Sequence, residues 1–231
     1  MRMNNILCKI KNGLIVSCQS EGDDPFNSPE GITAFAMAAF MGGAVAIRSE
    51  GVEKIKRIKD TVQLPVIGLL KSTFPDGFVK ITGSFSEVEK LLEIGCDIIA
   101  VDGTFRERDS EKLTGPDFIK AIKSRYACLI LADTATINEA VACENAGADC
   151  ISSTLNGYTP YTVQNNDNFD FIKQLLQKIK IPVFAEGRIN TPVDAKKMLE
   201  HGAWAVVVGT AITRPRIITQ WYINEMKKAT I

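Results

Sequence analysis

Four glycines recur along the chain at a nearly constant spacing. Gly43, Gly95, Gly147 and Gly202 are separated by 52, 52 and 55 residues. At each of them a helical pattern ends, one or two small or polar residues follow, and an apolar run begins. Glycine suits the position just after a helix, where φ is positive, and the apolar run is typical of a strand buried on both faces. The repeat therefore predicts four helix–strand units.

A second set of apolar runs lies between these units. Two of the runs open with proline, at Leu64-Pro65 and Ile181-Pro182, and proline fits the first residue of a strand because no ladder donor is needed there. Cys128–Ala132 and Leu14–Ser17 complete the set. Together the two sets predict eight strands, near residues 14, 44, 66, 97, 128, 150, 183 and 205.

Amphipathic helical patterns alternate with these strands. They span residues 30–41, 52–60, 86–94, 134–146, 168–179, 192–201 and 216–228, the last of which is expected to close the ring. Strands that alternate with helices through short connections are parallel and have right-handed crossovers. Eight such units, with no GxGxxG motif after the first strand, predict a single-domain (β/α)₈ TIM barrel over residues 1–231 rather than an open sheet. Segments 19–29 and 103–115 are long loops, and 78–82 is a candidate extra strand.

Composition excludes several classes of protein. The formal net charge is +0 with no basic stripe, which argues against a nucleic-acid partner. The 6 cysteines form no CxxC pair, and with 1 histidine no histidine-cluster metal site can be built. No signal-peptide pattern opens the sequence, and no apolar run approaches the ~20 residues of a membrane helix. We therefore expect an intracellular, cytoplasmic protein without a histidine-cluster metal site.

Polar residues follow the predicted strands. In a TIM barrel the residues just past each strand form the active site. These positions are held by Gln19, Arg48, Lys71, Asp102, Asp133, Thr154, Glu186 and Gly209. All but the last are polar or charged and each follows an apolar run, which indicates a catalytic barrel.

Three of these side chains carry candidate chemistry. Lys71 is either a lysine that reaches solvent or one partly desolvated in the barrel mouth, where burial and cations such as Arg48 would lower its pKa and make it a base or a Schiff-base nucleophile. Glu186 is a general acid/base or the neutralising partner of Lys71 or Arg188. Asp133 orients the lysine or a substrate hydroxyl, or caps the helix that begins at Thr134. Asp102 has Thr104 and Arg106 nearby as possible local partners.

Two glycine turns predict a phosphate site. Gly209-Thr210 follows the eighth strand, and Gly187-Arg188 follows the seventh. Phosphate sites in barrels commonly form at this place, from turns that lead into a helix N-terminus. Arg214 closes the site or reaches the substrate. Two ordinary turns are the alternative explanation.

Across nearly the whole chain these segments resemble the N-acetylmannosamine-6-phosphate 2-epimerases. The resemblance is carried by Gly13–Gln19, Gly42–Arg48, Leu64–Lys71, Ile98–Thr104, Leu131–Asp133, Thr154–Thr159, Ala185–Ile189 and Val206–Pro215. One segment departs from the family pattern: Ser72-Thr73-Phe74-Pro75-Asp76 stands where the family often has a basic residue followed by Asp-Tyr.

The resemblance implies interconversion of N-acetylmannosamine 6-phosphate and N-acetylglucosamine 6-phosphate in sialic-acid catabolism, without a cofactor. It implies that Lys71 is the catalytic lysine and Glu186 its catalytic partner. It assigns substrate contacts to Gln19, Arg48, Asp133 and Arg214. The base must be neutral to remove the proton at C2, so the resemblance requires a lysine with a depressed pKa.

Two other functions remain open from the residues alone. One is a Schiff-base aldolase with Lys71 as nucleophile, and the other is a non-catalytic sugar-phosphate-binding or regulatory protein. The oligomeric state depends on the apolar segment 217–223, which either covers the barrel floor or forms a dimer interface. We expect a homodimer, as the family suggests.

Overall fold

The computed structural model describes residues 2–165 and 168–229. Within these residues eight parallel strands form a closed barrel. They are β1 (Leu14–Cys18), β2 (Ala46–Glu50), β3 (Val66–Leu69), β6 (Ile98–Asp102), β7 (Ile130–Asp133), β8 (Cys150–Ser152), β9 (Val183–Glu186) and β10 (Ala205–Val208), while β4 (Lys71–Thr73) and β5 (Val79–Ile81) lie outside the barrel. The barrel strands pair in chain order, and β10 pairs with β1 to close the ring. The predicted TIM barrel is confirmed.

Helices follow the strands around the outside of the barrel. In the same described ranges they are α1 (Arg2–Ile10), α2 (Pro29–Met41), α3 (Val52–Thr61), α4 (Phe85–Glu93), α5 (Gly115–Arg125), α6 (Ile137–Asn145), α7 (Phe169–Lys178), α8 (Pro192–Glu200), α9 (Thr210–Thr213) and α10 (Pro215–Met226). No described helix is both long enough and apolar enough to span a bilayer.

The glycine repeat has the conformation that the sequence predicts. Gly43, Gly95, Gly147 and Gly202 have φ values of 90°, 73°, 96° and 100°, so each ends its helix in the left-handed region. A β-carbon is disfavoured there, which explains why glycine recurs at this point of each unit.

The small extra strand is also confirmed. β4 (Lys71–Thr73) and β5 (Val79–Ile81) pair antiparallel as a hairpin outside the barrel ladder. β3 ends at Leu69, so Lys71 does not end a barrel strand, as the sequence suggested, but begins this hairpin.

One prediction about the periphery is wrong, and one of two alternatives is excluded. The last helix has the predicted bounds within two residues, but it does not close the ring, because α10 has no buried residue. Segment 217–223 does not cover the barrel floor either. The barrel floor is covered by α1, a helix that the sequence analysis did not predict. Ile10 of α1 is fully buried with the inward-facing strand residues. Trp204 Nε1 donates to the Leu7 carbonyl of α1 at 2.8 Å.

Candidate active site

A cavity of about 560 Å³ opens at the carboxyl ends of the strands. Nine of the ten residues assigned to catalysis or binding from the sequence line it: Gln19, Arg48, Lys71, Glu186, Gly187, Arg188, Gly209, Thr210 and Arg214. The tenth, Asp133, lies behind this surface and reaches it through Arg48.

A buried ion cluster forms the inner wall of the cavity. Arg48 donates to Asp133 through both terminal nitrogens, at 3.0 and 2.7 Å, and its Nη1 lies 3.3 Å from Glu186 Oε2. The side chains of Arg48 and Asp133 are 1% and 0% exposed, and that of Glu186 is 13% exposed. Asp133 therefore positions Arg48 and does not cap a helix, since the N-cap of α6 is Thr136.

The hydroxyl of Thr154 joins the two carboxyl groups of this cluster. Its Oγ1 lies 2.7 Å from Asp133 Oδ1 and 2.9 Å from Glu186 Oε2. A hydroxyl has one hydrogen to donate, so it cannot fill both contacts if both carboxyls are ionised. Asp133 already accepts two hydrogen bonds from Arg48, whereas Glu186 Oε2 lies 3.3 Å from Arg48 Nη1. The arrangement therefore accommodates a proton on Glu186.

Burial acts on Glu186 in the same direction. Desolvation raises the pKa of this carboxyl above its usual range, and the nearby Asp133 adds to the rise. Arg48 and the hydrogen bonds from Thr154 and Ser152 oppose it without cancelling it. Glu186 therefore combines a largely buried position with an edge on the cavity, which suits a proton donor.

Lys71 faces a different carboxylate from the one that the sequence suggested. Its ammonium contacts Glu21, and Arg214 Nη2 lies 3.3 Å from the same Glu21 carboxylate. The Lys71 side chain is 27% exposed. Sequence analysis missed Glu21, which lies in the loop after β1, because its position relative to Lys71 depends on the path of that loop.

The Lys71 and Arg214 contacts hold the pKa of the Glu21 carboxyl below its usual value, although burial acts to raise it. Glu21 is therefore the carboxylate that pairs with both cations.

The two glycine turns meet at the cavity wall. Gly187 and Arg188 have φ values of 102° and 56°. A β-carbon on Gly187 would approach Asn168 Nδ2 to 2.7 Å, and this amide donates to the Gly187 carbonyl at 3.0 Å, so the turn requires glycine. The turn after β10 is fixed by Thr213 Oγ1, which donates to the Ser17 carbonyl at 2.8 Å.

Charge in the cavity favours an anionic ligand. Arg48 is neutralised by the inner carboxyls, whereas Lys71, Arg188 and Arg214 lie nearer the mouth with Glu21 as their half-exposed carboxylate neighbour. Arg188 Nη1 reaches the Asn156 carbonyl at 3.4 Å and its guanidinium lies 5.6 Å from the Tyr158 ring. A cationic mouth above a neutralised interior attracts a phosphorylated molecule.

Asp102 lies outside the cavity lining. Its Oδ1 accepts from the Thr104 amide at 3.0 Å and from the Thr104 hydroxyl at 2.6 Å, and its Oδ2 accepts from Arg106 at 3.0 Å. The local partners suggested by the sequence are confirmed. Within the described ranges no group of three or more His, Cys, Asp or Glu side chains could hold a metal ion.

Comparison with known proteins identifies the family. A family model described as "Putative N-acetylmannosamine-6-phosphate epimerase" matches residues 32–228. The chain belongs to this family. It is accordingly an epimerase, an enzyme of the isomerase class, as the sequence predicted.

Relatives with the same description match over almost their full length. The "Putative N-acetylmannosamine-6-phosphate 2-epimerase" of Caldanaerobacter subterraneus subsp. tengcongensis is 45% identical over 97% of this chain and 95% of its own. The protein of the same description from Clostridioides difficile is 43% identical over 96% of this chain and 99% of its own.

Solved structures agree. The N-acetylmannosamine-6-phosphate 2-epimerase of Clostridium perfringens matches with a TM-score of 0.88 and 42% identity over 95% of both chains. A thiamine phosphate pyrophosphorylase from Pyrococcus furiosus is 18% identical with a TM-score of 0.60, over 96% of this chain and 100% of its own, and shares the fold alone.

Proposed function

We propose that this epimerase interconverts N-acetylmannosamine 6-phosphate and N-acetylglucosamine 6-phosphate by removing and returning the proton at C2. One observation carries the proposal: Lys71, the Arg48–Glu186 cluster and two glycine turns line the same cavity. The choice of substrate comes from the family comparison, since relatives that are 43–45% identical are described as putative N-acetylmannosamine-6-phosphate 2-epimerases.

The reaction divides into steps that match these groups. In the open-chain sugar the C2 proton is α to the C1 aldehyde, and Lys71 is the base that removes it. Negative charge then develops on the aldehyde oxygen, to which Glu186 gives a proton beside the positive charge of Arg48. A proton from solvent then adds to the opposite face of C2, the enol hydroxyl returns its proton to Glu186, and Lys71 releases the first proton to solvent, so that the inversion is complete without a net change in protons. No metal ion or organic cofactor takes part in this scheme.

The remaining side chains bind the substrate. In this proposal Gln19, Arg214 and the Arg48–Asp133 pair contact the sugar, and Gly187, Arg188, Gly209 and Thr210 hold the phosphate. Support comes from the left-handed turn at Gly187, where the backbone can approach a ligand closely. Residues 1–231 would act as one catalytic domain in the cytoplasm, in sialic-acid and amino-sugar catabolism, with no nucleic-acid or membrane partner.

Proton NMR in D₂O tests the proposal directly. The protein is incubated with N-acetylmannosamine 6-phosphate and a chelator, and the C2 proton signal is followed. We expect N-acetylglucosamine 6-phosphate to appear with loss of that signal, and Lys71→Ala to abolish both. Folded protein that gives neither conversion nor exchange would rule out the epimerisation.

Borohydride trapping and ligand binding separate the two alternatives. A Schiff-base aldolase would form a covalent adduct with Lys71 that borohydride traps, and mass spectrometry would locate it. A binding or regulatory protein would bind the sugar phosphate without turnover.

We also propose a homodimer in which α10 of each subunit packs on the other. All of α10 is partly or fully exposed, including Trp221 at 40%, Tyr222 at 69% and Met226 at 72%. An apolar groove of about 300 Å³ runs along α8 and the outer side of β10 and β1, lined by Leu14, Ala195, Leu199, Val206 and Val208. In a TIM barrel a helix after the last strand would cover this place, so the exposed helix and the uncovered groove fit each other.

Light scattering after size-exclusion chromatography tests the dimer. We expect wild-type protein at twice the chain mass of 25.3 kDa, and Trp221→Glu with Tyr222→Glu at the mass of one chain. Phe105→Lys changes an exposed aromatic residue away from α10 and is the matched control. A wild-type monomer, or a dimer that survives both α10 charges, would overturn the proposal.

A further inference from the structure

The position of Lys71 depends on a hairpin that is not part of the barrel ladder. Lys71 is the first residue of β4 and pairs with Ile81 of β5. At the base of the hairpin the Thr82 amide donates to the Leu70 carbonyl at 2.8 Å, and the Leu70 amide donates to the Thr82 hydroxyl at 3.2 Å. Beyond this base the orientation of the hairpin is set by what its tip contacts.

Arg106 holds the tip and the second strand of the hairpin. Its Nη2 donates to the Val79 carbonyl at 3.1 Å, and its Nη1 lies 3.6 Å from Asp76 Oδ2. The guanidinium carbon lies 4.1 Å from the centroid of the Phe74 ring, which is only 3% exposed. One side chain therefore contacts the hairpin through a hydrogen bond, an ion pair and a stacking contact.

The same guanidinium is anchored to the barrel. Arg106 Nη2 also donates to Asp102 Oδ2 at 3.0 Å, and Nε donates to Thr104 Oγ1 at 3.2 Å. Asp102 is the last residue of β6 and is fully buried, so it is a rigid support. The Arg106 side chain is 10% exposed, and it is not one of the described residues that line the cavity.

We propose that Arg106 is a positioning residue for the epimerisation: by fixing the hairpin to the end of β6 it fixes the Lys71 amine in the cavity. The inference rests on the proposed function, in which Lys71 removes the C2 proton. A lysine amine is carried by a flexible four-carbon chain, so a fixed backbone at its base is needed to present the amine in a reactive position.

This role involves the segment that departs from the family pattern. Ser72-Thr73-Phe74-Pro75-Asp76 departs from the family pattern, and two of its members, Phe74 and Asp76, are the residues that contact Arg106. The departure therefore contributes to the placement of the hairpin.

Arg106→Lys is the test, with Arg125→Lys as the matched control. Lysine keeps a positive charge near Asp102 but loses the planar contact with Phe74 and the paired hydrogen bonds. Arg125 lies over the Phe85 ring at 3.8 Å, a comparable contact between α5 and α4. Phe74→Leu removes the ring while leaving the Arg106–Asp102 pair intact, and serves if Arg106→Lys does not fold.

Two measurements are made on each variant. Hydrogen–deuterium exchange of the peptide covering residues 70–82 reports the hairpin, and the NMR assay reports kcat and KM. For Arg106→Lys we expect faster exchange in this peptide, a kcat lower by about 10- to 100-fold and a KM within about twofold, because misplacement of a catalytic group by about 1 Å costs about 100-fold. Phe74→Leu should follow in the same direction, and Arg125→Lys should match the wild type.

Either measurement can overturn the inference. Unchanged hairpin exchange in both test variants would show that Arg106 does not hold the hairpin. Faster exchange with an unchanged kcat, or a loss of the same size in Arg125→Lys, would remove the link to Lys71. No turnover by the wild-type protein would instead overturn the proposed function and the catalytic part of this inference, while the exchange data decide the hairpin contact independently.

Discussion

The substitution Glu186→Gln removes the ability of residue 186 to transfer a proton while nearly preserving the shape of its side chain. Glutamine has nearly the same volume and keeps polar atoms beside Thr154 and Ser152, but it cannot transfer a proton. Arg48 retains both hydrogen bonds to Asp133, so the buried charge stays paired. We therefore expect the free energy of unfolding to change by no more than about 1.5 kcal/mol, the net value of one hydrogen bond.

Activity should respond far more strongly than stability. General acid catalysis contributes about 10²- to 10⁴-fold, so we expect kcat of Glu186→Gln to fall within that range, with a smaller change in KM. In the wild type, desolvation raises the pKa of Glu186, so the proton is present at low pH and is lost as pH rises through the raised pKa. The wild-type kcat should therefore fall on the alkaline side, and this fall should be absent from the residual activity of Glu186→Gln.

The contribution of Glu186 to the free energy of unfolding should also fall as pH rises. The folded protein holds this proton more tightly than the unfolded chain, so the contribution of Glu186 to the free energy of unfolding is lost as pH rises through its folded pKa. Urea unfolding and NMR turnover, each measured across pH for both proteins, provide the comparison. A kcat within tenfold of wild type, or an alkaline fall that persists in Glu186→Gln, would refute Glu186 as the proton donor.

Two further substitutions test the other charges. Asp133→Asn should lower the free energy of unfolding by less than the ~3–5 kcal/mol expected for an uncompensated buried charge, because Glu186 can ionise beside Arg48. In the double variant with Glu186→Gln this compensation is lost, so urea unfolding should show the full cost. If the effects of the two substitutions simply add, the compensation is refuted. Glu21→Gln should tighten N-acetylglucosamine 6-phosphate binding about two- to 30-fold by calorimetry, because the ligand no longer displaces Glu21 from two exposed pairs worth ~0.2–1 kcal/mol each. Weaker binding would mean that Glu21 supports the ligand instead of competing with it.

The sequence predicts the barrel well because each of its units repeats one local rule. A glycine at Gly43 or Gly147 ends a helix through its own backbone conformation, and the apolar run after it needs burial on both faces. Neither signal depends on a distant contact. The same logic placed Arg48 and Glu186 at one end of the barrel, since parallel strands in a closed ring all end on the same side.

Partners could not be predicted in the same way. Arg48 and Asp133 are 85 residues apart, and the local sequence around Asp133 is equally compatible with a helix cap. Glu21 lies on a loop that makes tertiary contacts, such as the hydrogen bond from Lys54 Nζ to Asn27 Oδ1 at 2.7 Å, which the local sequence does not predict. Helix α1 did leave a local signal, the apolar spacing of Ile6, Leu7 and Ile10, which was overlooked.

The charge balance of the inner wall follows from what burial allows. One guanidinium faces two carboxyls there, and if both were ionised the cluster would hold an excess negative charge beside an apolar strand. Such a charge is costly away from water, and protonating one carboxyl removes it at little cost. Asp133 has the better geometry with Arg48, whereas Glu186, whose pKa is raised by burial, has the edge on the cavity. The burial of this cluster thus favours the protonated form of the carboxyl that the proposed reaction uses as a proton donor.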